Sequence, residues 1–297
     1  MHPPVPLLLH PAARIAVTDF TVHASTVIGL AGLGALYHWR ARQRPANGAS
    51  SSPTPGQRAT FYSALALIFL SLNGWMHDLS DGYLFSAHMV QHLVLTLVAP
   101  PMLVMGTPGW MLRPALQWRG VGPVARWLTA PSRCFVIFNV VLAAWHLPPM
   151  YEYAMAHHAI HIVQHLCFMT AAVLMWWPVL SPLPELPRLS YPGQMLYLFL
   201  LSIPMSLVAV CIGYADHILY PWYASAPRIW GITPMQDQLI GGLIMWIPGG
   251  LFFFAIISVV FFRWQQHDGD ETVAGAQVSV DGPEGALLAA DRLPAAR

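Results

Sequence analysis

Lysine is absent from this chain, acidic and basic residues are scarce, and cysteine is nearly missing. All fourteen basic residues are arginine, and charged residues fill only 9% of 297 positions, against roughly 25% in a soluble domain. With 56% hydrophobic residues, such a chain reads as an integral membrane protein. A net charge of +1 leaves no basic footprint for nucleic acid. Cys134, Cys167 and Cys211 lie far apart and form no CxxC, which excludes a thiolate cage and a disulfide framework. Residues 1–16 hold one basic residue, Arg14, and no small-residue cleavage site, so no cleaved signal peptide is expected. Enzyme signatures are missing too. The zincin motif needs Glu directly after the first histidine, but Met89 and Ile162 stand there. GxSxG, the P-loop and GxGxxG after a strand are absent. No catalytic residue is expected, and the protein is read as not an enzyme.

Histidine and methionine are what the chain has, fourteen of each. His88-Met89-Val90-Gln91-His92-Leu93 recurs almost unchanged as His161-Ile162-Val163-Gln164-His165-Leu166, each copy inside an apolar run. Residues four apart share a helix face, about 6 Å apart along the axis. Ionisable groups inside lipid-length apolar segments mark functional sites, so two such pairs point to a metal or cofactor site. A wider repeat surrounds them. Trp75-x-His77, a short turn with Tyr83, then His88-x-x-x-His92 is matched by Trp145-His146, a turn with Tyr151, then His161-x-x-x-His165. This reads as a duplicated helical hairpin. A third, degenerate copy brings His217 and Asp237 to corresponding places.

Apolar runs of about 20 residues, the length a bilayer requires, predict an all-α integral membrane protein with seven transmembrane helices. They span about 17–39, 59–77, 84–106, 131–147, 156–177, 193–214 and 237–262. Residues 1–16 form a short outer tail, 17–263 the transmembrane domain with a flexible inner loop at 40–58, and 264–297 a disordered cytoplasmic tail. Pro100-Pro101 should kink or end the third helix, residues 107–130 read as an arginine-bearing loop, and Tyr220-Pro221-Trp222-Tyr223 suits a membrane interface. With the amino terminus outside, twelve arginines fall on the inner side and only Arg14 and Arg228 outside, as the positive-inside rule demands. The same orientation gathers His77, His88, His92, His146, His157, His158, His161, His165 and His217 toward the outer side. Packing does not explain such one-sidedness.

Imidazoles at i and i+4 can grip one first-row metal, and imidazole with optional thioether suits copper. The candidate metal ligands are His77, His88, His92, His146, His161 and His165. Gln91, Gln164, Asp78, Met89 and His158 are candidates for a supporting layer, with Asp81 weighed beside Asp78 as a carboxylate that orients imidazoles. Met76, Met89, Met150, Met155 and Met235 lie where they could supply sulfur, although packing accounts for most methionines.

Ser86-Ala87-His88-Met89-Val90-Gln91-His92-Leu93, then Val98-Ala99-Pro100-Pro101 and Gly106-Thr107-Pro108, resembles the seven-helix CtaG-type cytochrome c oxidase assembly proteins. So do Trp145-His146-Leu147-Pro148 and the run Asp237-Gln238-Leu239-x-Gly241-Gly242. The resemblance covers about residues 17–263 and implies a multi-pass protein of the bacterial inner (plasma) membrane. It implies a partner among cytochrome c oxidase subunits and copper as the cargo delivered to them. Two other readings stand beside it. One is a haem b-binding electron-transfer protein, although two histidines at i and i+4 cannot both be axial ligands of one haem. The other is a copper or proton transporter using the histidines as a relay, although the inner halves of the spans hold almost no polar groups.

Overall fold

Apolar sequence punctuated by proline and glycine produces helices joined by short turns among the described residues. The computed structural model describes residues 20–43 and 52–281, with side chains through residue 268, and no strand occurs among the described residues. In order, the helices are α1 (Ala24–Arg42), α2 (Pro55–Ser71), α3 (Gly74–Gly82), α4 (Phe85–Leu93), α5 (Ala99–Gly106), α6 (Gly109–Leu116), α7 (Val121–Leu128), α8 (Pro131–His146), α9 (Pro148–Ala156), α10 (His158–Leu180), α11 (Tyr191–Gly213), α12 (Pro221–Ser225) and α13 (Pro234–Asp281).

Four stretches are long and apolar enough to cross a membrane: Phe85–Gly106, His158–Leu180, Tyr191–Gly213 and Pro234–Asp268. Two bent pairs, α2 with α3 (47°) and α7 with α8 (72°), bring the number to six if each pair is one span. The remaining candidate of the expected seven is α1. Its last turn carries Arg40 and Arg42, and it does not meet the same test.

Several boundaries differ from the sequence reading. The helix expected to run from 59 to 77 breaks after Ser71, and His77 sits in the separate helix α3. Residues 107–130, read as a loop, hold α6 and α7. The connector bearing Glu152 is α9. Helix α13 continues to Asp281, past the point where a tail was expected to begin. The outer tail, 1–16, with residues 17–19, the centre of the inner loop, 44–51, and residues 282–297 lie outside the described residues.

Pro100-Pro101 does not end its helix. Proline cannot donate to the carbonyl four residues back, which for Pro100 is that of Thr96. A π-helical turn, Val94–Val98, absorbs the mismatch between α4 and α5. The Trp176 indole N–H of α10 donates to the Thr96 carbonyl at 3.0 Å, and the chain remains helical to Gly106.

A carboxylate from another helix fixes the start of α4. Its N-cap, Leu84, has no capping side chain. The buried carboxylate of Asp237 in α13 takes that role, accepting from Phe85 N (2.7 Å), Ser86 N (3.0 Å) and Ser86 Oγ (2.5 Å), where the helix end offers free N–H groups and positive potential. Beside it, α11 and α13 cross closely, and a Cβ on Gly242 would lie 2.6 Å from Gly213 Cα. Helix α10 packs against α5, α8 and α9, while α4 packs against α3 and α13. The histidine faces of α4 and α10 meet between these layers.

The duplication is visible in the topology. Both α2–α3–α4 and α8–α9–α10 run helix, nine-residue helix, histidine-bearing helix. The copies differ in one respect. His77 lies inside the short helix, whereas His146 is the last residue of α8.

Candidate metal centre

All six candidate ligands are buried, none more than 7% exposed. Ring centroids form a continuous array, with His88–His92 at 4.3 Å, His161–His165 at 4.4 Å, His88–His161 at 5.5 Å, His92–His165 at 5.5 Å, His92–His146 at 6.0 Å and His77–His161 at 6.1 Å. The i,i+4 spacing in α4 and α10 thus does what geometry demands, and the two stripes face each other.

The carboxylate among them is Asp81. Its oxygens lie 3.2 Å from His161 Nδ1, 3.3 Å from His77 Nε2 and 3.6 Å from His88 Nδ1. Asp81, His88 and His161 each present a ligand atom within 4.8 Å of the other two, a grouping that a small inward shift of the side chains would bring to the bonds of about 2 Å that a first-row ion needs. Asp78 faces elsewhere and accepts from the Thr21 hydroxyl at 2.8 Å in an exposed position. Asp81 was legible only as the equal of Asp78. Recognising 74–82 as a helix would have separated them, because His77 and Asp81 are then four apart on one face.

Among the six candidate ligands, eight ring nitrogens on five histidines are buried without a hydrogen bond: both of His88, His92 and His165, and Nε2 of His146 and His161; Nε2 of neighbouring His23 is a ninth. Buried polar atoms are normally satisfied, and each orphan costs about 1–3 kcal/mol. His146 Nδ1 lies 2.7 Å from the Leu142 carbonyl. A carbonyl only accepts, so Nδ1 carries the proton and Nε2 keeps a free lone pair, the state a metal ligand needs.

His77 differs. The Gln91 amide nitrogen donates to the Ser71 carbonyl at 2.6 Å and lies 3.2 Å from His77 Nδ1, while Gln91 Oε1 accepts from the Ser80 hydroxyl at 3.2 Å. Nδ1 of His77 therefore accepts, and its Nε2–H points at Asp81. Both nitrogens of His77 are engaged, and the residue steers the carboxylate. Gln164 is fully buried and neither amide atom has a partner. His158 is exposed, with its ring 5.7 Å from His23. His158 and His23 join His77, His161 and His165 along a mostly aliphatic cleft of about 530 Å³ between α1, α2 and α10. Met89 lines a small cavity with His92 and His146. His157 and His217 are exposed and lie apart, His217 paired with Asp216 at 2.7 Å.

Of the loop from Tyr220 to Pro234 expected at a membrane interface, Trp230 is exposed but the segment around α12 is not. Tyr220, Trp222 and Tyr223 are buried and close over the cluster. Trp222 Nε1 donates to Asp81 O (2.7 Å), Tyr223 to Ser80 O (2.7 Å) and Tyr220 to His146 O (2.9 Å). The Tyr151 hydroxyl meets that of Tyr223 at 3.0 Å. Burial, with the Asp81 charge adding, holds the Tyr223 hydroxyl well above its ordinary range, so it stays a donor. Gln238, beside Asp237 in the Asp237-Gln238 run, ties down the preceding loop. It accepts from Leu219 N at 2.7 Å and donates to the carbonyls of Ile212 and His217 at 3.1 Å each.

Comparison with known proteins adds a family. The chain is 26% identical over 219 residues to uncharacterized proteins of Mycobacterium bovis and Mycobacterium tuberculosis, covering 68% of this chain and 33% of each relative. A Mycobacterium leprae protein is 23% identical over 220 residues, 69% of this chain and 33% of its own length. The chain thus spans about a third of the length of the curated relatives it matches. No solved structure matches it significantly. The family model described as cytochrome c oxidase caa3 assembly factor (Caa3_CtaG) matches residues 33–267. The chain belongs to the cytochrome c oxidase caa3 assembly factor family.

Proposed function

We propose that this protein holds copper at the histidine–carboxylate cluster and supports its delivery to cytochrome c oxidase from the outer face of the bacterial inner membrane. The observation that carries the reading is the set of buried, unbonded imidazole nitrogens of His88, His161 and His165 gathered with Asp81. Imidazole and carboxylate suit divalent copper. Asp81, His88 and His161 hold the ion, His92, His146 and His165 extend the site along α4, α8 and α10, and His77 orients Asp81. The cleft beside His77, His161 and His165 is the route by which cargo leaves toward a partner subunit. The protein acts by binding and transfer, without a catalytic residue. In this reading α1 crosses as a seventh span, with the amino terminus outside and the carboxyl terminus in the cytoplasm.

The test is complementation. In a host lacking the gene, the oxidase should be short of copper, and the wild-type chain should restore its copper content and activity. Chains carrying His88→Ala or His161→Ala should insert at normal levels without restoring either. Full rescue by both variants would overturn the reading.

A further inference from the structure

A second cluster lies deeper than Asp81 and has different chemistry. Met89 of α4, Met205 of α11 and Met245 of α13 line one cavity of about 20 Å³ with His92 and His146. That is room for a single water-sized occupant. The three methionines are at most 3% exposed and the two histidines 6%. Both ring nitrogens of His92 and Nε2 of His146 are unbonded, and the Nδ1 contact of His146 with the Leu142 carbonyl leaves Nε2 as a lone pair. Apart from Thr96, whose hydroxyl donates to the His92 carbonyl at 2.6 Å, the remaining lining is aliphatic and aromatic. No carboxylate reaches it.

Neutral thioethers and imidazoles without an anionic oxygen select soft monovalent ions over hard or divalent ones. We infer that Met89, Met205, Met245, His92 and His146 form a second metal site, specific for a monovalent coinage-metal ion such as cuprous copper. The inference rests on the copper-holding reading above and divides it. The site beside Asp81 takes the divalent ion, and the thioether site takes the monovalent one. Methionine as mere packing needs no unbonded imidazoles lining the same cavity, and here three methionines from three different helices line it with two such histidines.

Silver(I) is the probe, because it copies cuprous copper without redox chemistry. The full chain in mild detergent and chloride-free buffer is titrated with Ag⁺ and, separately, with Cu²⁺. Wild type should bind Ag⁺, and silver X-ray absorption should show sulfur and nitrogen neighbours, a readout that needs no variant. Met205→Leu and Met245→Leu keep the side-chain volume. Each should weaken Ag⁺ binding about tenfold or more and leave Cu²⁺ binding unchanged. Silver bound with wild-type affinity by both variants, silver without sulfur neighbours, or no silver bound would each overturn the inference. Loss of Cu²⁺ binding in the wild type would instead count against the divalent copper reading, so the two fail separately.

Discussion

At the scale of single residues, the site turns on a carboxylate and on which imidazole nitrogens are already engaged. Asp81 gathers His77, His88 and His161 within 3.6 Å, and Gln91 locks His77 in the tautomer that faces it. Replacing Asp81 with Asn keeps shape and removes charge. Divalent copper affinity in equilibrium dialysis should fall 10- to 100-fold with folding retained, and unchanged affinity would show that Asp81 does not serve the ion. The histidine pairs were legible in the sequence because i,i+4 spacing is a local rule. Asp81 was legible only as the equal of Asp78, because the helix was read as ending at His77 and both carboxylates fell in the turn after it. Met205 and Met245 were not legible. A lone methionine in an apolar span carries no signal until the packing of three helices brings it to a histidine.

Among the elements, the same division holds. Long apolar runs announced α10, α11 and the core of α13, and a proline pair misled. The π-turn and the indole of Trp176 rescue the carbonyl that Pro100 leaves free, a long-range partnership no local pattern encodes. The cap on α4 comes from Asp237, some 150 residues away. Asp237→Ala should strip three donors of their partner at the helix that carries His88 and His92. Thermal unfolding in detergent should show a loss of about 1–2 kcal/mol, and an unchanged midpoint would contradict the capping role. Glu152 of α9 links to the lid, both carboxylate oxygens accepting from Trp222 N at 3.1 Å. Burial pushes its carboxyl up, partly offset by that N–H. With the folded pKa above the unfolded one, this group's contribution is full below about pH 4.5 and declines as pH rises through the folded value. Glu152→Gln keeps an acceptor without the buried charge. Its stability relative to wild type should therefore improve from acid toward neutral pH in parallel melts, and a gap that widens on acidification would contradict the assignment.

For the whole molecule, the helical membrane architecture was legible from composition, and the family from a few short runs. The number of crossings was not. A 72° bend splits α7 from α8, and α1 ends in arginines, so length and hydropathy no longer count spans one for one. The two ends of α10 nevertheless differ in what surrounds them. Arg188 and Arg263 line a cavity of about 250 Å³ near the C-terminal end of α10, whereas the cluster histidines of α10 lie at its N-terminal end. By the positive-inside rule, a tag placed after Gly120 should be reached only from the cytoplasm, and one placed after His157 only from outside. Labelling of both from the same side would overturn that orientation. The most direct test of copper holding is metal content at equilibrium. Detergent-purified wild-type chain, dialysed against buffered Cu²⁺ and measured by mass spectrometry, should retain copper near one ion per chain or more. The His88→Ala and His161→Ala variants should lose the divalent ion held beside Asp81. Equal copper in all three chains would place the metal elsewhere, and no copper in the wild type would leave the cluster without its cargo.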